Sequence, residues 1–270
     1  MPKKSFFLAL LFSFSFVACE DVISLDLDTA EPKLVIEAML KLFEDGSKDV
    51  SIRITETAPF LSEDIPRITD AQVRIIDDLG AVFTYNHIQN GLYFPNNDFS
   101  PQPDRTYRLE VLYDNQLYIA EAGLDAGVGI DFVEQSNDGG FSGDDVQLEF
   151  FFTDPGDEAN YYFFELLSEK GNVFDAADDQ FFNGNQVNTL FVQEDLEAGD
   201  EVLFRITNGD RAFFDFIFTL LQQTEFASFG PFESQPATVR GNIINTTDAN
   251  NFPFGYFKIS EVGTFEYTVQ

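Results

Sequence analysis

The stretch TYRLEVLYDNQ, residues 106–116, carries the pattern that decides the fold. Apolar side chains occupy alternate positions from Tyr107 to Tyr113, with Arg108 and Glu110 between them. A period of two predicts a strand with one face in a core and the other toward solvent. The residues YDNQ at its end are typical of a tight turn between antiparallel strands. The stretch therefore predicts one arm of a β-hairpin.

The same pattern recurs on both sides of this stretch. In DVSIRITET, residues 49–57, Val50, Ile52 and Ile54 alternate with polar residues. Turn signals follow at intervals of about ten residues, such as DDLG at 77–80 and QNG at 89–91. Many short strands at even spacing predict a mainly β chain of antiparallel sandwiches, Ig-like or prealbumin-like.

The division into domains follows from a segment that is rich in Gly and Asp. Residues 126–145 contain AGVGID and NDGGFSGDD, which is the composition of a linker or an exposed loop. We therefore expect two β-sandwich domains on either side of it. The predicted parts are a signal peptide at 1–18, an N-terminal domain at 19–125, the linker at 126–145 and a C-terminal domain at 146–270.

The C-terminal half is rich in Phe and contains one helical pattern, NGDRAFFDFIFTLLQQTEF at 208–226. Its central apolar residues follow the spacing i, i+3, i+4, i+7, and they are Phe213, Phe216, Ile217 and Leu220. Asn208 or Asp210 is suited to cap the start. We expect a helix near 210–224, buried against a sheet. Insertion into a membrane is the alternative, but the apolar run is short and Asp215 interrupts it.

The N-terminus has the pattern of a bacterial lipoprotein signal. Lys3 and Lys4 precede an apolar run, Phe6 to Val17, that is too short to span a bilayer, and the segment FLALLFSFSFVACEDV at 7–22 joins this run to a cysteine and two acids. We expect cleavage after residue 18 and acylation, for example with palmitate, of Cys19, the only cysteine in the sequence. A plain signal peptide cut elsewhere is the alternative. The sequence therefore predicts a lipid-anchored envelope protein.

Two short motifs follow the cysteine. Glu20 and Asp21 lie where surface-export signals of Bacteroidetes lipoproteins occur. DTA at 28–30 is similar to an O-glycosylation acceptor, with Thr29 as the residue that would carry the sugar. The first motif favours display at the cell surface, and the second favours a sugar on the N-terminal segment.

The charge balance excludes one class of partner. The chain has 15 Lys and Arg against 47 Asp and Glu, a formal net charge of -32. Such a surface repels phosphate backbones, so we expect no nucleic-acid binding. Solubility accounts for this excess of acids, and divalent-cation binding is the alternative.

Calcium is the ion that such a chain would favour, because hard oxygen ligands cluster in two loops. The candidates in DPGDEAN and DDQFFNGN are Asp154, Asp157, Asn160, Asp178, Asp179, Asn183 and Asn185. Neither segment has the spacing of an EF-hand. The alternative is that these side chains cap turns of the backbone.

Catalytic motifs are weak in this sequence. His87 is the only histidine, so a multi-histidine metal site is excluded, and its place before a turn favours an exposed or capping role. GGFSG at 139–143 lacks the strand and helix that would flank a nucleophilic serine. The abundant carboxylates do not single out a catalytic pair. We therefore expect binding without catalysis and no cofactor other than calcium.

Distinctive segments occur in both halves of the chain. They are CEDVISLDLDTAEPKLVIEAML (19–40), TETAPF (55–60), DAQVRIIDDLG (70–80), GLYFPNNDFSPQPDRTYRLEV (91–111), LYIAEAGL (117–124), NYYFFELL (160–167), LEAGDEVLFRI (196–206), GPFESQPATVRGNI (230–243) and FGYFKIS (254–260). Together they resemble a Bacteroidetes lipoprotein family called domain of unknown function 4249. The resemblance covers nearly the whole chain after the signal peptide.

The resemblance implies a location and an association. Members of that family are outer-membrane lipoproteins that are often encoded beside a TonB-dependent receptor, and no catalytic residues are established for them. We therefore expect a surface-exposed, lipid-anchored accessory or ligand-presenting subunit of a TonB-dependent β-barrel transporter. The alternatives are a free-standing surface binder, an envelope hydrolase acting on glycan or peptide, and a structural envelope protein.

Overall fold

The computed structural model describes residues 31–270 except 60, 61, 63, 141, 142, 144, 157, 194 and 224–237. The described N-terminal strands are β1 (Leu34–Phe43), β2 (Lys48–Asp49), β3 (Ile52–Glu56), β4 (Gln72–Asp77), β5 (Val82–Gln89), β6 (Leu92–Pro95), β7 (Thr106–Tyr113) and β8 (Gln116–Asp125). The elements that follow are β9 (Ile130–Gly139), β10 (Asp145–Thr153), β11 (Tyr161–Ser168), β12 (Gly171–Asp178), β13 (Gln186–Gln193), β14 (Glu201–Gly209), the helix α1 (Arg211–Gln222), β15 (Ile244–Asn245) and β16 (Phe254–Thr268). The chain is mainly β, as the alternating patterns predict.

The N-terminal strands and β16 enclose a first core. They are hydrogen-bonded in the order β16-β1-β3-β6-β5-β4-β7-β8, and β8 pairs with β16 again, which closes the circuit. Ile36, Ile54, Ile75 and Leu109 point into it and are fully buried. Because inward and outward residues alternate along each strand, one apolar face per strand is enough to fill this core.

The hairpin predicted from residues 106–116 is confirmed. β7 and β8 pair antiparallel with Tyr113 opposite Gln116, and the two residues between them have φ of 46° (Asp114) and 57° (Asn115). Positive φ at both central positions defines a type I′ turn, whose twist matches that of the strands. One side chain differs from the alternation: Glu110 is buried between the guanidinium groups of Arg74 and Arg108.

A second core lies between two sheets in the C-terminal half. One sheet has the order β12-β11-β14-β16 and the other β13-β10-β9. Phe150 on β10 contacts Phe164 on β11 and Phe204 on β14, with ring centroids 5.6 Å and 5.3 Å apart. The abundance of Phe in this half therefore reflects packing between the sheets of a sandwich.

β16 belongs to both cores. Its first part runs parallel to β1, with Val35 opposite Phe254, and its last part runs antiparallel to β14 up to Thr268. Phe257 and Ile259 point into the first core, whereas Phe265 packs against the second. A division of the chain at 126–145 therefore does not account for β16, the C-terminal strand, which supplies residues to the core of the N-terminal part.

The predicted linker at 126–145 is wrong over half of its length. Ile130–Gly139 form β9, which pairs with β10 along most of its length. β9 is the end strand of its sheet, so many of its side chains face solvent and the alternation of apolar residues is lost. Register shifts at Asp145/Gln147 and Phe151/Phe152 interrupt the pattern further.

The predicted helix near 210–224 is confirmed as α1. Asp210 is the N-cap, and its carboxylate accepts a hydrogen bond of 2.8 Å from the backbone N–H of Phe213. Phe213, Phe216 and Ile217 are buried, while Leu220 is 40% exposed. The helix thus buries one face and leaves part of its apolar stripe open to solvent.

Candidate binding groove

The loop carboxylates that suggested calcium serve as hydrogen-bond acceptors. Asp154 is buried and accepts from the hydroxyl of Tyr162 and from the N–H of Gly184, the latter at 2.7 Å. Asp179 is buried and accepts from the N–H of Asn160 and the side-chain amide of Asn183, both at 2.9 Å. These bonds tie neighbouring loops of the second core together.

This geometry favours the turn-capping interpretation. Asp178 accepts a long bond of 3.4 Å from the N–H of Gln180, and Asp157 lies outside the described residues. Within the described part of the chain, no group of three or more His, Cys, Asp or Glu side chains is placed to hold a metal ion. Buried carboxylates that already accept N–H and O–H bonds are satisfied without a cation.

His87 has a structural contact of the kind that its position predicts. Its Nε2 accepts a bond of 3.3 Å from the N–H of Gly91, and its ring meets that of Tyr93 edge-on at 5.4 Å. The capping interpretation of this histidine is therefore confirmed. It closes the turn between β5 and β6, where Asn90 and Gly91 have positive φ.

The remaining predicted sites fall outside what the structure describes. Cys19, Glu20, Asp21 and Thr29 precede residue 31, and Ser142 of GGFSG is also outside the described residues. No helix in the described residues is long and apolar enough to cross a membrane.

A groove of about 730 Å³ lies on the outer face of the sheet beside α1. Alternate residues of β1 form its floor, because side chains two apart on a strand share one face. Neighbouring strands extend this floor, and one side of α1 forms a wall. Its lining includes Val35, Glu37, Met39, Lys41, Arg53, Phe216, Leu220, Phe254 and Tyr256.

The helix holds its wall of the groove through aromatic contacts. The ring centroid of Tyr256 on β16 lies 4.9 Å from that of Phe216 and 5.5 Å from that of Phe213. Burial raises the pKa of Tyr256, as do the nearby carboxylates of Asp210 and Asp125, so this phenol stays neutral. The contacts fix α1 against the sheet and leave the Leu220 end open.

The polar lining of the groove is balanced in charge. Glu37 and Arg53 lie opposite each other on β1 and β3, with Nε and Oε2 3.6 Å apart. Lys41 forms an ion pair of 2.9 Å with Glu165, which crosses the intervening strands β16 and β14. This balance differs from the chain as a whole, whose formal net charge is -32. The groove therefore joins apolar surface to paired charges, a combination suited to binding an amphipathic partner.

The groove could not be found from sequence alone. Its lining comes from β1, β3, α1 and β16, which are separated by more than 200 residues at most and meet because β16 pairs parallel to β1. The amphipathic pattern of α1 predicted the burial of Phe213, Phe216 and Ile217, but Leu220 in the same stripe is exposed. No local pattern shows which face of the sheet the helix covers.

Among the comparisons with known proteins, one identifies a family. The chicken interferon gamma receptor alpha chain matches with a TM-score of 0.23 and 8% identity, over 67% of this chain and 89% of that one. A segment of two fibronectin type III domains from chicken tenascin matches with a TM-score of 0.21 and 10% identity, over 68% and 89%. No curated protein matches the chain. The family described as domain of unknown function DUF4249 matches residues 20–266, and this chain therefore belongs to it.

Proposed function

We propose that this protein is a non-catalytic binding protein, held on the outer membrane by lipid on Cys19, and that its groove engages a TonB-dependent β-barrel. The observation that supports the proposal is the groove itself. It offers an open apolar wall on α1 beside paired charges on β1 and β3. Charge balance lets an otherwise strongly acidic surface approach a partner without repulsion.

The lipid anchor would strengthen a weak contact. Confinement near the membrane raises the effective concentration of the protein beside a barrel, so even modest affinity suffices. Acylation of a single residue with several chains is enough for stable attachment.

Photo-crosslinking in native outer membranes tests the contact. A photoreactive amino acid replaces Leu220 in the groove, and in a matched control it replaces Leu79, which is 79% exposed in the turn between β4 and β5. We expect a covalent adduct with a TonB-dependent barrel from position 220 and none from position 79. Equal yields from both positions, or no barrel adduct from the groove, would contradict the proposal.

The anchor has a separate test. Cys19→Ala should move the protein from the membrane fraction to the soluble fraction, because no other lipid attachment is proposed. If the variant stays in the membrane fraction, the lipid anchor is wrong. A crosslinked envelope glycan or peptide in place of a barrel would favour the alternative of a free-standing binder or hydrolase.

A further inference from the structure

Lys258 is a lysine buried beneath the start of α1. Its side chain on β16 is only 5% exposed. Its Nζ lies 4.6 Å from the centre of the Phe213 ring, and a Cβ on Gly209 would come within 3.1 Å of it. The absence of a side chain at Gly209 therefore leaves the space that the amine occupies. A lysine enclosed in this way is rare unless its charge is paired.

One carboxylate contacts this amine, and the charge of a second acts on it. Asp125, the last residue of β8, forms an ion pair with Lys258 Nζ. Asp210 is near enough for its charge to act on the same amine, although its Oδ1 is engaged by the N–H of Phe213. Burial lowers the pKa of Lys258, and the charges of Asp125 and Asp210 oppose that effect without reversing it. A desolvated lysine amine is a better nucleophile than one in water.

The pair has the arrangement that amide formation requires. The two reacting groups are held in contact by separate strands, so no bimolecular encounter is needed. Lys258 is 5% exposed, whereas Asp125 is 42% exposed, so the cost of desolvation falls mainly on the ammonium. A neutral amide at this position removes that buried charge. The pair of Lys41 and Glu165 provides a comparison within the same molecule. Lys41 is 17% exposed and lines a groove that is open to water, although Glu165, at 8%, is less exposed than Asp125.

We propose that Lys258 and Asp125 form an intramolecular amide bond without an enzyme. One proton first passes from the ammonium of Lys258 to the carboxylate of Asp125, which leaves a neutral amine and a carboxylic acid. The Nζ then attacks the Cγ of Asp125, a new C–N bond forms, and the C–O bond to the hydroxyl breaks. The free oxygen of Asp210 accepts a proton from the amine and returns it to the departing hydroxyl, which leaves as water. The ammonium and the carboxylate become one neutral amide and one water molecule, so atoms and charge balance and no oxidant is involved.

The bond would link segments that are 133 residues apart in sequence. It joins β8 to β16, the two strands whose pairing closes the first core. These strands share only the pairs Ile259–Leu124 and Ser260–Asp125. A cross-link at this position restricts the unfolded chain much as a long-range disulfide would. The sequence has one cysteine and therefore forms no internal disulfide.

Mass spectrometry of peptides from the purified full-length protein tests the proposal. Proteolysis after denaturation should yield a branched peptide that joins the segments of Asp125 and Lys258 and is one water molecule lighter than their sum. Trypsin should fail to cut after Lys258 and should cut after Lys41, which serves as the internal control. Recovery of both segments as separate, unmodified peptides in full yield would overturn the proposal.

Variants then separate the roles of the residues. Lys258→Arg and Lys41→Arg are a matched pair, and only the first should abolish the branched peptide. Asp210→Asn keeps a good N-cap residue but removes the proton acceptor, so the amide should accumulate more slowly after refolding. An unchanged rate in Asp210→Asn would overturn the role of Asp210. If a variant fails to fold, the peptide map of the wild-type protein still decides whether the bond exists.

Discussion

At the scale of single residues, two buried tyrosines differ in whether their hydroxyl groups have a hydrogen-bond partner. The hydroxyl of Tyr162 donates to Asp154 within the second core. Tyr85 lies in the first core and is 4% exposed, and within the described part of the chain its hydroxyl has no hydrogen-bond partner. A buried hydroxyl without a partner costs free energy that a phenyl ring does not.

Removal of these two hydroxyl groups should therefore have opposite effects on the free energy of unfolding. We expect Tyr85→Phe to raise the free energy of unfolding by about 1 kcal/mol, because an unpaired polar atom leaves the core. Tyr162→Phe should lower it by about 1–3 kcal/mol, because the buried carboxylate of Asp154 loses a donor. Urea denaturation of the two variants beside the wild type measures both changes. A loss of stability in Tyr85→Phe would mean that its hydroxyl has a partner in solution.

The same tyrosines predict instability at alkaline pH. Burial raises the pKa of Tyr85 above the ordinary value of 10.0, so the folded protein holds a proton that the unfolded chain releases. Its stabilising effect is full below pH 10 and is lost as pH rises above that value. Each such tyrosine lowers the free energy of unfolding by up to about 1.4 kcal/mol per pH unit in this range.

Tyr85→Phe isolates this contribution. The difference in unfolding free energy between Tyr85→Phe and the wild type should widen between pH 10 and pH 11, because the variant lacks one group that ionises on unfolding. Denaturation curves at several pH values measure the difference. A constant difference across this range would contradict the predicted shift of the Tyr85 pKa.

At the scale of elements, a strand or helix could be predicted from sequence where the pattern of apolar residues along it matches the burial of those residues in the fold. The alternation in β7, the turn at Asp114 and Asn115, and the cap of α1 are local and are confirmed. The apolar stripe of α1 is confirmed except at Leu220, which is exposed. β9 is an end strand with exposed side chains and register shifts, so its sequence resembles a linker. The burial of Glu110 was also hidden, because the arginines that cover it lie on two strands.

The contact between β1 and β16 depends on a glycine that a sequence pattern does not single out. Gly255 has φ of +102°, and a Cβ there would lie 2.0 Å from the carbonyl oxygen of Ile36 on the neighbouring strand. Gly46, in the turn between β1 and β2, has φ of +84° and no atom within 4 Å of such a Cβ. The two positions share a strained backbone but differ in the space available.

Substitution of these two glycines by alanine should distinguish the cost of backbone strain from the cost of a steric clash. We expect Gly46→Ala to cost about 1 kcal/mol of stability, which is the penalty of positive φ alone. Gly255→Ala should cost at least about 3 kcal/mol, because β16 must also move away from β1. Urea midpoints give both values. Similar costs at the two positions would show that the close contact of β1 with β16 relaxes freely.

At the scale of the whole molecule, the sharing of β16 decides how the chain behaves. Local patterns predicted two sandwiches but not that the last strand supplies Phe257 to the first core and Phe265 to the second. Pairing between β1 and β16 joins residues more than 200 positions apart, and neither strand contains a signal for its partner. The groove has the same origin, because its floor is this pairing. The pairing of strands that are distant in sequence was therefore the feature of the fold and of the groove that could not be predicted from the sequence.

Because both cores need β16, the described chain from residue 32 onward should unfold as one cooperative unit. We expect a single thermal transition, and Phe257→Ala in the first core and Phe164→Ala in the second should each lower it. Both side chains are almost fully buried, and their loss should cost about 3–5 kcal/mol. Calorimetry measures the transition, with the ratio of calorimetric to van't Hoff enthalpy as the test of cooperativity. If Phe257→Ala instead produced two transitions, one of them at the wild-type temperature, the second sandwich would fold without the first, and β16 would not couple them.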